Sequence, residues 1–268
     1  MPPHCYSQHQ LTILKSDNTV FAVKKIRSAR ENDSSFAHEV SILKKFSGQT
    51  EHLVNLLATF EHQGSSYLVF PWADGGNLLD LWKSNPNTKD AHLVKWMAAQ
   101  CLGLARGLHK IHTLSVGRTE ATGYRHGDIK PENILCFPSE NPGVPGGTLK
   151  ISDFGLSRIH TTHSSRPSRL MGTATYRPPE CDLTGDLSRS SDIWALGCVF
   201  LEFVTWYLTG SDGVIDEFPR YRSRQLPRNG SSSVEDDSFF ITDSDSNTSL
   251  SPVATLKPSV REVRRAHF

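Results

Sequence analysis

Cysteine is scarce in this sequence, and no two cysteines lie close together. The 268 residues include five cysteines, at Cys5, Cys101, Cys136, Cys181 and Cys198. An odd number at wide spacing, without a C-x-x-C pair, predicts neither a disulfide framework nor a zinc site. Cysteines in such an arrangement are typical of a reducing compartment, so we expect an intracellular protein, cytoplasmic or otherwise.

The sequence also lacks an excess of one charge and a long apolar run. Its formal net charge is +1, whereas nucleic-acid-binding domains usually carry a strong basic excess. Residues 1–10 contain no apolar run, so we expect no signal peptide. The longest apolar run, residues 193–208, includes Glu202 and is shorter than the roughly 20 residues of a membrane span. We therefore expect a core helix there. We expect neither a nucleic acid nor a membrane as a partner, and the sequence predicts no particular oligomeric state.

Hydrophobic residues make up 37% of the chain, enough for a packed core, and their spacing predicts an order of elements. In chain order we predict strands over 11–26, a helix over 33–47, two short strands in 53–60 and 67–70 joined by a turn at 62–65, and helices over 91–112 and 193–208. In the 91–112 helix, the apolar face is expected to hold Trp96, Ala99, Leu102, Ala105 and Leu108. Strands followed by helices indicate an α+β protein. Residues 219–268 are rich in Ser, Asp, Asn and Arg and are predicted to be largely disordered.

The strongest motif is Tyr124-Arg-His-Gly-Asp-Ile-Lys-Pro-Glu-Asn133. It resembles the catalytic loop of the eukaryotic protein kinases, specifically the serine/threonine kinases. The resemblance implies that Asp128 orients the attacking hydroxyl and accepts its proton, and that Asn133 holds Mg²⁺. It also implies that Lys130 neutralises the transferred phosphate.

A second motif, Leu149-Lys-Ile-Ser-Asp-Phe-Gly155, follows at the distance expected for this family. Asp153 would bridge Mg²⁺ to the phosphates of ATP. Phe154 would pack inward and position Asp153. Leu43, Leu56, His126 and Phe154 resemble the family's stacked internal column.

The resemblance extends to residues that would bind the nucleotide. Phe21-Ala-Val-Lys-Lys25 resembles the strand whose lysine holds the α- and β-phosphates, so Lys24 takes that role and Glu39 is its predicted partner. Residues 67–78 resemble the hinge between two lobes, where Pro71 keeps its carbonyl but lacks an N–H. The predicted adenine contacts are Ala22, Phe70, Pro71, Ala73, Asn77 and Leu135.

Two further stretches match the family downstream. Gly172-Thr-Ala-Thr-Tyr-Arg-Pro-Pro-Glu180 resembles the end of an activation segment, with Thr173 placed to bond Asp128 and Lys130. Ser191-Asp-Ile-Trp-Ala-Leu-Gly197 resembles the start of the large buried helix, in which Asp192 would anchor the backbone of the catalytic loop.

Three features depart from the family pattern. No glycine precedes Gly48, so the glycine-rich loop over the phosphates is absent or poorly kept. Gly127 stands where an arginine usually precedes the catalytic aspartate, and Arg125 is expected to point elsewhere. The match fades after about residue 210, which leaves Glu180 without an obvious arginine partner.

Together these patterns predict a bilobal, protein-kinase-like α+β fold with a small antiparallel β-sheet lobe containing one helix and a mainly helical second lobe. The expected kinase-like domain covers residues 1–218, with an N-lobe to about 70, a hinge at 71–77 and a C-lobe from 78. The implied activity is transfer of the γ-phosphate of ATP, with Mg²⁺, to Ser or Thr of a protein. The alternative is a catalytically impaired kinase-like binding module or a truncated fragment. The Asp-Phe-Gly triplet argues against an aminoglycoside-type phosphotransferase.

Overall fold

The fold begins with a four-stranded antiparallel sheet and continues as a mostly helical part. The computed structural model describes residues 10–16, 19–26, 35–48, 50–84, 89–114, 123–139, 147–154, 158–160, 174–185, 187–223, 236–243 and 253–262. Strands and helices run in the order β1 Gln10–Ser16, β2 Thr19–Ile26, α1 Ser35–Phe46, β3 Ala58–His62, β4 Ser65–Pro71, α2 Leu78–Ser84, α3 Ala91–Thr113, β5 Gly123–Arg125, β6 Ile134–Phe137, β7 Thr148–Ile151, β8 Arg158–His160, α4 Pro179–Leu183, α5 Arg189–Asp212, α6 Phe218–Ser223, β9 Phe240–Asp243, β10 Val253–Leu256 and α7 Pro258–Glu262. The predicted α+β kinase-like architecture is confirmed.

The sheet has the strand order β1-β2-β4-β3, which places β2 in its interior. Strand β2 is rich in β-branched and aromatic residues that favour a pleated, half-buried surface. Strands β3 and β4 are joined by Gln63 and Gly64, whose φ angles are 48° and 68°. Two successive left-handed residues form the type of two-residue turn that matches the twist of a hairpin. The predicted hairpin is therefore confirmed, although its first strand begins at residue 58 rather than 53.

Helix α3 supports the helical part, but the predicted composition of its apolar face is only partly right. Its N-terminus is capped by Asp90, whose carboxylate accepts the backbone N–H of Leu93 at 2.7 Å. Trp96 and Leu108 are buried as expected, whereas Leu102 is 52% exposed. An α-helix has 3.6 residues per turn, so residues spaced by exactly three are progressively rotated around its axis. Leu102, six residues after Trp96, therefore lies on a different face of the helix. The buried positions are Leu93, Trp96, Met97, Gln100, Gly103, Leu104, Gly107, Leu108, Ile111 and His112.

Helix α5 is the apolar helix predicted at 193–208. It starts with a capping box. The Ser188 side chain accepts a backbone N–H of the first turn, and the Ser191 side chain accepts the backbone N–H of Ser188. Together with α6 it is long and apolar enough to cross a membrane by length and composition alone. In the structure its Val199, Phe203 and Trp206 are buried in the main core. The indole N–H of Trp206 also donates to the carbonyl of Trp82 at 3.1 Å, which ties α5 to α2.

The chain after residue 218 is ordered where the structure describes it, so the prediction of a disordered segment over 219–268 is wrong for those residues. Residues 236–243 and 253–262, here called the C-terminal hairpin, form the β9–β10 ribbon and helix α7. Phe239 and Val260 pack with Phe218 and Cys198 in a second core cluster. These few apolar side chains, dispersed among polar residues, bury enough surface to fix the segment. The rest of 219–268 lies outside the described residues.

We expect Phe239→Ala to lower the free energy of unfolding by about 3–5 kcal/mol, because it removes a fully buried aromatic side chain. Val253→Ala, at a position 59% exposed in the same hairpin, is the matched control and should change it by about 0.5 kcal/mol or less. Urea unfolding of both variants measures the difference. Equal, small effects would contradict the packing described for the hairpin.

Candidate active site

The residues of the catalytic-loop motif form one connected set. Asp128 is 9% exposed and lies just before the helical turn Pro131–Asn133. The Lys130 ammonium is 3.0 Å from Asp128 Oδ2. The Asn133 side-chain amide donates to the same oxygen at 2.9 Å and to the carbonyl of Asp128 at 2.8 Å. Two donors on one oxygen fix the orientation of the Asp128 carboxylate.

The backbone of this loop is held from α5 by Asp192. Its carboxylate accepts the N–H groups of His126 and Gly127, both at 2.8 Å, and lies 2.8 Å from His112 Nε2. Asp192 is 1% exposed, and these bonds satisfy its buried charge. Gly127 has a φ of 88°, a left-handed conformation that a residue with a side chain adopts only with strain. The anchoring role predicted for Asp192 is therefore present in the structure.

Asp153 and Lys24 meet at the end of strand β7. The Lys24 ammonium is 3.0 Å from Asp153 Oδ1, and Lys24 is only 4% exposed. Asp153 has a φ of 61°, which is uncommon outside glycine and recurs at functional sites. Glu39 is in α1, but its side chain lies outside the described residues, so its pairing with Lys24 stays a prediction.

The internal column joins the two motifs. The ring of Phe154 is 5.2 Å from that of His126 and 5.5 Å from that of Phe46. His126 Nδ1 accepts the N–H of Asp128, so the proton is on Nε2, which donates to the carbonyl of Ser152 at 2.9 Å. Ser152 in turn donates its N–H and its hydroxyl to the carbonyl of Asn133, both at 2.9 Å. The position of Asp153 is thereby tied to the catalytic loop.

The predicted nucleotide side is built from β2, β4 and the following turn. Ala22 pairs with Phe70, and Pro71 is the last residue of β4. The backbones of Gly75 and Gly76 bond to Cys136, next to Leu135. The structure brings the end of the hinge and Leu135 together.

Asn77 has a structural role that the prediction missed. It is 2% exposed, and its side-chain oxygen accepts the N–H of Asp80 at 3.0 Å while Asp80 accepts the N–H of Asn77. This reciprocal pair caps α2. The side-chain oxygen of Asn77 therefore has a capping role in the fold, and its contact with the nucleotide stays a prediction.

A small open pocket lies beside Asp128, on the side of Gly127. Its lining includes Arg125, Tyr176 and Arg177. Arg125 and Gly127 line the same pocket, and the direction expected for the Arg125 side chain stays a prediction. Thr173 and Gly155 lie outside the described residues.

The oxygen donors predicted to hold Mg²⁺ suit that ion. Because the amide nitrogen of Asn133 donates to Asp128, its amide oxygen is the atom that can bind a metal, and Asp153 offers a carboxylate. Among the described residues, no group of three His, Cys, Asp or Glu side chains is arranged to hold an ion without help. Mg²⁺ typically binds through one or two side chains together with the phosphates of a substrate. The donor set fits that pattern.

Comparison with known proteins agrees with this geometry. The family model of the protein kinase domain matches residues 6–222. The chain belongs to the protein kinase family. Its match to the family contains both motifs and the Asp192 anchor.

Curated kinases of several kinds resemble the chain at about the same level. Mitogen-activated protein kinase kinase 1 of Arabidopsis thaliana is 33% identical over 197 residues, which are 73% of this chain and 50% of the relative. The mouse serine/threonine-protein kinase Nek3 is 29% identical over 72% of this chain and 34% of its own length. Cyclin-dependent kinase-like 4 of mouse is 32% identical over 71% and 51%. The kinase thus spans about half the length of these relatives, or less.

One cluster near the site escaped the sequence patterns. Tyr176 donates its hydroxyl to Glu202 Oε2 at 2.8 Å, and Arg222 Nη2 is 3.1 Å from Glu202 Oε1. Glu202 and Arg222 are 3% and 2% exposed. Burial, with the nearby charge of Glu202 as a second cause, raises the pKa of Tyr176 well above its usual value, so the hydroxyl stays a donor. A glutamate inside an apolar run was the signal available, because such a charge needs a buried partner.

Burial raises the pKa of Glu202 from 4.5 to about 7, although Arg222 and Tyr176 oppose the shift and Glu132 adds to it. Between these values the folded state binds more protons than the unfolded state, so this group's contribution to stability falls as pH rises and is constant above about 7. We expect the unfolding free energy of the wild type, minus that of Glu202→Gln, to fall by roughly 2–3 kcal/mol from pH 5 to 8. Urea unfolding across that range measures it. A difference that rises with pH would mean that the attraction of Arg222 outweighs burial.

Proposed function

We propose that this chain is a protein serine/threonine kinase that transfers the γ-phosphate of ATP to a Ser or Thr hydroxyl of a protein. The observation that carries the proposal is the Asp128 carboxylate, held on one oxygen by both Lys130 and Asn133. A carboxylate in a fixed orientation suits the positioning of an attacking hydroxyl, and positioning supplies most of the catalysis in phosphoryl transfer. The positive charge of Lys130 lies beside the same carboxylate, where it can neutralise a phosphate that is being transferred to the hydroxyl.

Each side chain has one task in this proposal. Asp128 orients the substrate hydroxyl and accepts its proton, and Lys130 faces the negative charge that develops on the transferred phosphoryl group. Lys24 binds the α- and β-phosphates, with Glu39 as its second carboxylate partner. Asn133 and Asp153 hold Mg²⁺, which would neutralise charge on the phosphates. The residues proposed to surround the adenine are Ala22, Phe70, Pro71, Ala73 and Leu135.

The proposed partner is a protein with a phosphorylatable Ser or Thr, in an intracellular setting. The near-neutral net charge of +1 supports a protein acceptor over a nucleic acid. The burial of the apolar face of α5 in the core supports the absence of a membrane partner.

A second candidate is a kinase-like binding module with impaired catalysis. The specific observation in its favour is that no glycine precedes Gly48, so a glycine-rich loop over the phosphates is missing from the sequence. Backbone N–H groups of such a loop would otherwise contribute to ATP binding. We expect weak ATP binding under either candidate, and turnover decides between them.

The test uses the full chain with ATP and Mg²⁺ and a panel of Ser/Thr peptides. We expect Asp128→Asn to lower turnover at least about 100-fold while sparing ATP binding, since a proton acceptor typically contributes 10²–10⁴-fold. Asp153→Asn should remove the Mg²⁺-dependent part of ATP binding, and Lys24→Met should weaken binding further. Asp216→Asn, at an exposed position in the helical part, is the matched control and should behave as the wild type.

Thermal shift reports ATP binding, because a ligand of the folded state raises its stability. Unchanged turnover in the Asp128→Asn protein would rule out the assigned role. Magnesium-dependent ATP binding without any turnover in the wild type would favour the binding module.

A further inference from the structure

The C-terminal hairpin is bonded to the short helical turn Ala174–Tyr176, which ends the segment leading from Asp153. The Thr175 hydroxyl donates to both carboxylate oxygens of Asp237, at 2.7 and 2.8 Å. The ring of Tyr176 lies 6.1 Å from that of Phe239. The hairpin therefore contacts the turn through a charge-assisted hydrogen bond and an aromatic pair on neighbouring residues.

Arg222 joins the same hairpin to the buried glutamate beneath the turn. Its Nε donates to the carbonyl of Asp237 at 2.9 Å, and its guanidinium carbon lies 4.4 and 4.3 Å from the ring centroids of Phe218 and Phe239, which pack edge to face with each other. Its Nη2 bonds Glu202, which accepts the hydroxyl of Tyr176. One arginine thus connects the hairpin, α5 and the turn. A planar guanidinium that contacts two rings and also bonds the Asp237 carbonyl and the Glu202 carboxylate has few alternative orientations, so this link is rigid.

Lys257 closes the hairpin onto α6. Its ammonium donates to the carbonyl of Arg222 at 2.8 Å and to that of Asp236 at 2.6 Å, and Lys257 is 6% exposed. The hairpin residues that face the turn are consequently held in place from behind.

The turn borders the same pocket as Asp128. Tyr176, Arg177 and Pro178 line the pocket that also contains Gly127 and Asp128. A shift of the turn would therefore change the shape of the surface beside Asp128. Lys24 and Asp153 are on other elements and do not line this pocket.

We propose that Thr175, Asp237 and Arg222 are positioning residues, through which the C-terminal hairpin fixes the 174–178 wall of the pocket where the protein substrate binds. The inference rests on the proposed function for the identity of the ligand, but the contacts themselves do not. The consequence is specific: loss of the Thr175–Asp237 bond should impair use of the protein substrate and leave ATP binding intact.

The first experiment compares Thr175→Val, which removes the hydroxyl at nearly constant shape, with Thr175→Ser, which keeps it. Hydrogen exchange of the full-length chain follows the Arg177 amide, whose bond to the carbonyl of Ala174 closes the turn. We expect Thr175→Val and Asp237→Ala each to speed its exchange at least about tenfold, since a tenfold change corresponds to 1.4 kcal/mol. Thr175→Ser should match the wild type. The exchange rate of this amide in the Thr175→Val/Asp237→Ala double variant should not exceed that in either single variant, because both substitutions remove the same bond.

The second experiment measures peptide phosphorylation by the same variants. Thr175→Val should raise KM for the peptide about tenfold, with KM for ATP unchanged, and Thr175→Ser should restore it. If the wild type phosphorylates nothing, the proposed function fails, and the exchange data still decide whether the hairpin holds the turn.

Two results would overturn the inference. One is equal exchange of the Arg177 amide in Thr175→Val and Thr175→Ser. The other is faster exchange spread equally over the amides of β4 in the sheet, together with parallel losses in ATP and peptide use, which would make the hairpin a general stabiliser only.

Discussion

The arrangement of the catalytic loop depends on one buried carboxylate. Asp192, at the start of α5, accepts the backbone N–H groups of His126 and Gly127 and bonds His112 from α3. A buried charge is tolerated when donors surround it, and leaving it unpaired would be costly. Two of its hydrogen-bond donors are backbone N–H groups of the catalytic loop. Because the buried carboxylate needs these donors, it also fixes the backbone conformation just before Asp128.

From that anchor, a chain of hydrogen bonds fixes the remaining chemical groups. His126 donates to Ser152, Ser152 donates to Asn133, and Asn133 donates to Asp128. Each group is positioned by a neighbour that is itself buried, which is how a site keeps its geometry before a substrate arrives. Gly127 and Asp153 follow two members of this network, His126 and Ser152, and have left-handed φ angles of 88° and 61°. The absence of a side chain at residue 127 thus has a local reason in its left-handed backbone.

The parts that could be predicted from sequence are those in which the chemistry is local. Asp128, Lys130 and Asn133 lie within six residues of one another, and the structure joins them as the motif suggested. The strands and long helices were also visible in their apolar spacing. The face of α3 was partly misassigned because a spacing of three residues fits a helix only over short distances. The capping role of Asn77 could not be predicted from the hinge resemblance, because it depends on Asp80, which that resemblance does not include.

The C-terminal hairpin could not have been predicted in this way. Its Asp237 carboxylate accepts the hydroxyl of Thr175, which lies 62 residues earlier in the chain, and its Asp237 carbonyl accepts from Arg222. Asp237 itself lies in a polar stretch without periodicity. Composition averaged over 219–268 indicated disorder, yet a few aromatic rings around Arg222 suffice to order the described residues. The sequence predicts no arginine partner for Glu180. The structure instead places a buried arginine against Glu202, beneath the same segment.

The most direct measurement of the central claim is the turnover and ATP affinity of Asp192→Asn in the full-length chain. Asparagine keeps the shape but presents an amide N–H₂ to one of the backbone N–H groups, so the loop loses a bond while Lys24 and Asp153 are untouched. The account predicts that turnover falls at least about tenfold, equivalent to 1.4 kcal/mol, with Mg²⁺-dependent ATP affinity within about twofold of the wild type. Wild-type turnover in a folded Asp192→Asn protein would contradict it, because the catalytic loop would then hold its geometry without the anchor.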